Sequence, residues 1–330
     1  MNKATITALT KKYMTVIILL LICAFFGIMD SKFWTFGNFI SILRQVSMLG
    51  IAAVGMACCM LVGDINLSVG VLQGLTGVIC AILLRDTGLP VAVVFLLALV
   101  GCTVIGFIGA AIIVKTGMPA MIGSLGIRYV VNGAAYLIAG GLPIYSVTDR
   151  AKWIGQGSVL GIPVPVVVLL VFFVIGYILL NKTFLGRHLF AVGSNAEATR
   201  LSGINVDRVR IFAYTFSCFC SGVAGLILMA RNASGQPNGG NGSEMNVMTA
   251  CVVGGVSALG GSCDPISLMV GVLIIGVLTN GMTILGVSEY WQIVCRGLVL
   301  ITAVGFDFYN RTRKVKVKVQ DTAPKAEAKA

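Results

Sequence analysis

The sequence predicts an all-α, polytopic membrane protein with about ten transmembrane helices, some of them broken. Three observations carry this. Apolar residues make up 57% of the 330 positions and charged residues 11%, whereas a soluble domain carries about 25% charged residues; mean hydropathy is +0.97. Apolar runs of roughly the length that crosses a bilayer recur along the whole chain, separated by short polar turns. The formal net charge of +12 gathers at the N-terminus (Lys3, Lys11, Lys12), in the 182–210 stretch and in the tail from Arg311 to Lys318. That is the distribution of topology signals and anionic-lipid contacts. No aromatic-basic surface accompanies it, so nucleic acid is excluded as a partner.

The elements follow in order. Residues 1–12 are polar and basic and read as a cytoplasmic N-terminus. The membrane domain is expected over 13–308, with spans at 13–29, 42–62, 67–84, 90–114, 120–139, 163–180, 211–230, 245–259, 266–285 and 289–308. The first run lacks a small-residue cleavage site, which favours an uncleaved anchor over a signal peptide. The eighth is short. Residues 140–163 and 231–244 are polar, rich in glycine and expected outside; 309–330 reads as a basic, disordered, cytoplasmic tail. Ten spans put both termini and the basic 181–210 loop inside. Spans two to five and seven to ten could form an inverted repeat. Most of the ten cysteines lie in apolar runs without C-x-x-C spacing, so they read as small buried residues, not as a disulfide framework or metal site. His188 stands alone in a loop.

The most informative stretch is LGRHLFAVGSNAEATRLSGINVDRVR, residues 185–210. Ser194 followed by Glu197 reads as a capping box for a short helix, and Gly203 falls where a left-handed C-terminal cap belongs. Two turns are too short to be stable alone in water. The residues by themselves admit two readings, a capped connector or a docking element for another protein.

This stretch resembles the cytoplasmic coupling loop of bacterial ABC sugar-importer permeases of the ribose-transporter type. The resemblance continues through Gln236-Pro237, Val253-Gly254-Gly255, Gly260-Gly261, Asn280-Gly281 and Leu285-Gly286-Val287, and begins earlier at Gly63-Asp64-Ile65-Asn66-Leu67-Ser68-Val69-Gly70. It covers most of the chain from about residue 40 to 308. It implies that Gly193, Ser194, Asn195, Glu197, Ala198, Arg200, Leu201 and Gly203 dock on a separate ATPase subunit. It implies a second permease copy or homologue and a periplasmic or lipid-anchored sugar-binding protein as further partners. The chain departs from the family at two places. Gly-Gly-Ile-Asp becomes Gly63-Asp64-Ile65-Asn66, and Cys263-Asp264 replaces a small, glycine-rich sequence.

Chemistry on the chain itself is sparse. There is no G-x-x-x-x-G-K-[ST], H-E-x-x-H or G-x-S-x-G, so the chain reads as a non-enzyme that binds no cofactor, with ATP used by partner subunits. Asp64 and Glu244 are the carboxylates nearest to membrane depth, and both sit at breaks. That speaks against proton coupling, while sodium coupling through unwound carbonyls stays open; it is the resemblance that ranks ion-coupled secondary transport below ATP-driven import. Non-helical backbone at membrane depth is tolerated where it is buried in protein or lines a wet cavity. The candidate translocation path is accordingly Asp64, Asn66, Ser68, Gln236, Asn246 and Asn280, whose amides and hydroxyls suit a sugar. Asp64 and Ser68 can equally cap a helix start. Isolated amides such as Gln73, Asn132, Asn280 and Gln292 can equally hold two helices together. Arg128 and Arg296 should snorkel or face a wet interface. Nucleosides and branched-chain amino acids are the nearest alternative substrates, and the paucity of charge favours a neutral, hydroxyl-rich solute.

Overall fold

The computed structural model describes the backbone of residues 3–145 and 147–322 and the side chains of residues 14–145 and 147–305. Thirteen α-helices account for nearly all regular structure among them: α1 (Lys3–Met29), α2 (Phe36–Leu61), α3 (Val69–Asp86), α4 (Val91–Thr116), α5 (Ala120–Ala139), α6 (Asp149–Gln156), α7 (Val164–Lys182), α8 (Phe184–Ser194), α9 (Ala196–Leu201), α10 (Val206–Asn232), α11 (Ser243–Val253), α12 (Pro265–Ile284) and α13 (Glu289–Thr322). A two-stranded hairpin, Ser158–Val159 with Ile162–Pro163, follows α6. Seven helices (α2, α3, α4, α5, α7, α10 and α12) are long and apolar enough to cross a membrane, and α1 adds the apolar stretch Met14–Met29.

Residue contacts fix the direction of each helix. Asp64, Gln73 and Gly77 meet Arg210, Gly225 and Met229 in turn, so the chain from the first break through α3 runs alongside α10 in the same sense. Gly55 lies against Ser217 and Cys220, and Arg44 bonds the Gln156 carbonyl at the far end, so α2 runs against α10. Gly106 packs on Cys218 while Gly222 meets Leu99 and Cys102, which sets α4 antiparallel to α10 as well. The loop with α8 and α9 therefore lies at one end of the bundle, and α6 with its hairpin lies at the other. At the α6 end, Lys152 donates to Asp149 at 2.8 Å and holds that carboxyl below the ordinary carboxylate range.

The helix contacts follow the pattern expected of an inverted repeat. The helix α10 packs on α3 and α4 as α2 packs on α11 and α12, and α3 packs on α5 as α11 packs on α13. Both α3 and α11 begin inside the molecule after a non-helical segment. The first segment, 62–68, runs beside the lower part of α10. The second, 233–242, folds back between α10 and α3 and is tied to the polar 140–147 segment through paired backbone bonds between Ile144 and Gly235. The main apolar core joins α2, α10, α11 and α12 and includes Ile51, Met56, Met60, Ile227, Val247 and Ile275.

Two expectations are corrected here. The eighth span, placed at 245–259, is an 11-residue helix over Ser243–Val253. At ~1.5 Å per residue it is about 16 Å long, half of a ~30 Å hydrocarbon core. Gly254 and Gly255 end it, and irregular backbone follows. Likewise α13 continues as helix to Thr322, through the basic stretch expected to be disordered. No glycine or proline interrupts the chain between Gly305 and Pro324, so nothing stops the helix from propagating. Residues 323–330 lie outside the described residues.

Candidate translocation path and coupling site

The coupling stretch is built from two short helices rather than one. Ser194, expected as an N-cap, instead closes the last turn of α8, where its hydroxyl donates to the Phe190 carbonyl at 2.8 Å. The cap of α9 is Asn195, in extended conformation, whose Oδ1 accepts from Ala198 N–H at 2.9 Å. Glu197 is then the second helical residue, one position short of a capping box. The other end is as expected. Gly203 has φ +82°, its N–H bonds the Arg200 carbonyl at 3.0 Å, and Ile204 N–H bonds the Thr199 carbonyl at 3.3 Å. These are the two bonds of a Schellman motif, and the left-handed position between them favours glycine. Leu201 is exposed beside it. Arg200 lies 3.8 Å from Asp207 on the same exposed face.

Gly193 ties this stretch to the bundle. A Cβ there would overlap the Leu61 carbonyl at the end of α2 and would press on the amide of Gly261. Gly261 N–H itself donates to that same Leu61 carbonyl at 2.9 Å. Three segments thus touch at backbone distance: the end of α8, the end of α2 just before the first break, and the turn that follows α11.

The first break is held from within. Asp64 is buried and makes a two-pronged ion pair with Arg210, at 2.8 and 3.0 Å. Asn66 is fully buried; its Oδ1 accepts from the N–H and hydroxyl of Ser68, and its amide donates to Ser217 on α10 at 3.3 Å. Ser124 on α5 donates to the Ile65 carbonyl and accepts from Leu67 N–H. All three path candidates of this break therefore make bonds within the protein that fix where α3 starts.

The second break is held by Arg128. Rather than snorkelling, it donates to Asn241 Oδ1 at 2.7 Å and pairs with the buried Glu244 at 2.9 Å. Gly70 and Gly74 of α3 make room for this loop. A Cβ at Gly70 would overlap Glu244 Oε2 and the Gly240 carbonyl, and one at Gly74 would lie 2.6 Å from the Gly239 carbonyl. The Gly-x-x-x-Gly spacing thus serves a helix against a loop.

Two adjoining cavities open beside this loop. The inner one, about 210 Å³, is lined by the polar groups of Gln45, Gln73, Ser243, Asn246, Thr279 and Arg296 against apolar Met48, Leu49 and Ile275. The other, about 470 Å³, lies between the 241–249 segment and one face of α13. Of the sequence candidates, Asn246 lines both. Gln236 lines a small void beside α3 and donates to Ser234 at 3.1 Å. Asn280 is buried with its Oδ1 unpaired, next to the cavity-lining Thr279. Asp64, Asn66 and Ser68 line neither cavity. Gln45, Ser243 and Thr279 were missed. The stripe Glu289, Ile293, Arg296, Gly297 and Leu300 on one face of α13 is the helical-period signal that could have pointed there.

Residues 38–304 match the family model described as the permease component of a branched-chain amino acid transport system. The chain belongs to this permease family. Relatives of the permease are sugar permeases by name. It is 37% identical to the ribose import permease RbsC of Haemophilus influenzae over 91% of its length and 94% of that protein's. It is 36% identical to RbsC of Bacillus subtilis, over 82% and 84%, and 36% identical to the L-arabinose transport system permease AraH of Escherichia coli K12, over 90% and 89%. No solved structure matches the permease. Membership and the apolar spans make it a multi-pass membrane protein.

Proposed function

We propose that this permease forms the transmembrane path of an ATP-driven importer for a small neutral sugar, a pentose or a related hexose or polyol. The observation that carries the reading is the inner cavity. It lies among helices of the membrane domain, and its polar groups are, Arg296 apart, the neutral amides and hydroxyls of Gln45, Gln73, Ser243, Asn246 and Thr279, set among apolar side chains. Such groups can exchange hydrogen bonds with a polyhydroxylated solute without holding it fast. The ribose and arabinose permeases among the relatives support the same substrate class.

The energy would come from a separate ATPase pair. No phosphate-binding loop occurs in the sequence, and Gly193 to Gly203 present a capped helix with exposed polar residues to a partner. The basic α8–α9 end would face the cytoplasm together with both termini. The α6 end would receive a sugar-binding protein, and a second permease copy or a homologue would complete the path. ATP-driven closure of the ATPases would move α8 and α9, and the Gly193–Leu61–Gly261 contact would pass that motion to the ends of α2 and α11.

The test is uptake of labelled ribose and arabinose into vesicles carrying the permease, the ATPase and the binding protein. ATP-dependent uptake indifferent to ionophores is expected. Uptake that persists without ATP and collapses with an ion gradient would make the permease a secondary carrier.

A further inference from the structure

The two cavities share Ser243, Asn246 and Arg296. Among the described residues, Arg296 is the only cation lining either of them. It is half-buried on α13, with Nε donating to the Gln292 carbonyl at 3.1 Å and a terminal nitrogen donating to Asn246 Oδ1 at 3.3 Å. No carboxylate pairs with it among the described residues. The carboxylate at the same level, Glu244, is engaged by Arg128 at 2.9 Å. Glu289 lines the larger cavity only, seven residues before Arg296 and so about 10 Å along the helix axis. The junction of the cavities therefore carries a positive charge with no carboxylate paired to it among the described residues.

A charge so placed has two consequences. Most of the guanidinium's five N–H donors remain open to a solute's hydroxyl oxygens. A cationic solute at the junction meets a like charge on a half-buried side chain. Building on the importer reading above, we propose that Arg296, with Asn246 beside it, is a charge filter: it passes neutral polyhydroxylated solutes and rejects cationic ones such as amino sugars. The sequence places an arginine in an apolar run; the structure places it where the two cavities join.

The test uses the complete importer in proteoliposomes, with ATPase and binding protein. It compares uptake of ribose with 2-amino-2-deoxyribose at pH 6, where the amine is protonated. Arg296→Gln removes the charge. Asn246→Asp neutralises it in place by setting a carboxylate beside the guanidinium, which keeps α13 tied to α11. Because the binding protein is the same throughout, its own preference divides out of the comparison between variants. Both variants should raise the amino-sugar to ribose ratio by about tenfold, the order expected for relieving one like-charge interaction across ~12 Å at an effective dielectric near 20. A ratio unchanged from wild type in Asn246→Asp would overturn the filter, as would equal losses of both solutes in both variants, which would assign Arg296 to helix packing alone. If the wild-type importer carried neither ribose nor arabinose on ATP, the importer reading would fall and the filter with it. Wild-type import with unchanged ratios would remove the filter and leave the importer standing.

Discussion

Gly193 is a position where one methyl group decides the outcome. Its Cβ would overlap the backbone carbonyl of Leu61, and a backbone at the junction of three segments cannot yield as a flexible side chain can. Gly193→Ala should therefore destabilise the permease by about 1–3 kcal/mol, the usual cost of overpacking, read as a lower midpoint of thermal unfolding in detergent. An unchanged midpoint would mean that the three segments do not meet so closely. Asp64 and Arg210 allow a second experiment. Asp64→Asn leaves a half-buried guanidinium without its counter-charge, at a cost of about 3 kcal/mol. Replacing both partners, by Asp64→Leu with Arg210→Met, should recover most of that loss, and a double-mutant cycle measures the difference. Neither pairing was legible in the sequence. Asp64 and Arg210 stand 146 residues apart, and a lone carboxylate at a break looks alike whether it faces a solute or an arginine. The same holds for Arg128, which reads as a stray charge in an apolar run until the loop at 241–244 folds back onto it.

Among the elements, α9 shows how far local chemistry reaches. Its existence and its glycine stop follow from the spacing of polar residues alone, because caps and left-handed turns are set within a few residues. Its start did not follow, since Ser194 and Asn195 are both good N-caps. The choice is made by α8, whose last turn absorbs Ser194 and leaves Asn195 extended. Asn195→Ala should cost about 1 kcal/mol of local helix stability, seen as faster amide exchange over 196–201. Gly203→Val forces a β-branched residue into φ +82°. It should lower ATP-driven uptake several-fold while ATP hydrolysis by the assembled importer continues. Uptake and hydrolysis falling in step would count against a coupling role for this turn. The helix α11 was misjudged for the opposite reason. Its apolar composition suits a full span, and only the glycines at 254 and 255, with the contacts around them, end it after half a crossing.

At the scale of the whole molecule, the number of passes fixes where the ends lie. If α11 and the irregular backbone around it count as one pass, α1 and α13 should begin and end on the same side. A protease site inserted after Met1 and another after Ala330 should be cut from one face of sealed vesicles, and a site inserted at the exposed Leu160 hairpin from the other. Cutting of the two terminal sites from opposite faces would show that the chain makes an odd number of passes. The all-α, multi-span class could be read from the recurrence of apolar runs. The inverted repeat was legible only as a possibility, because its two halves share contacts rather than residues: α3 and α11 start after Gly63-Asp64-Ile65-Asn66-Leu67-Ser68 in one case and Gln236-Pro237-Asn238-Gly239-Gly240-Asn241-Gly242 in the other. Finally, the junction of Gly193, Leu61 and Gly261 bears on timing. A rod of about 16 Å such as α8, fastened at one point to both halves of the repeat, has no slack with which to move one half first. The two halves should rearrange in a single concerted step, with one barrier and one relaxation time, and a fluorophore on either half should report the same rate.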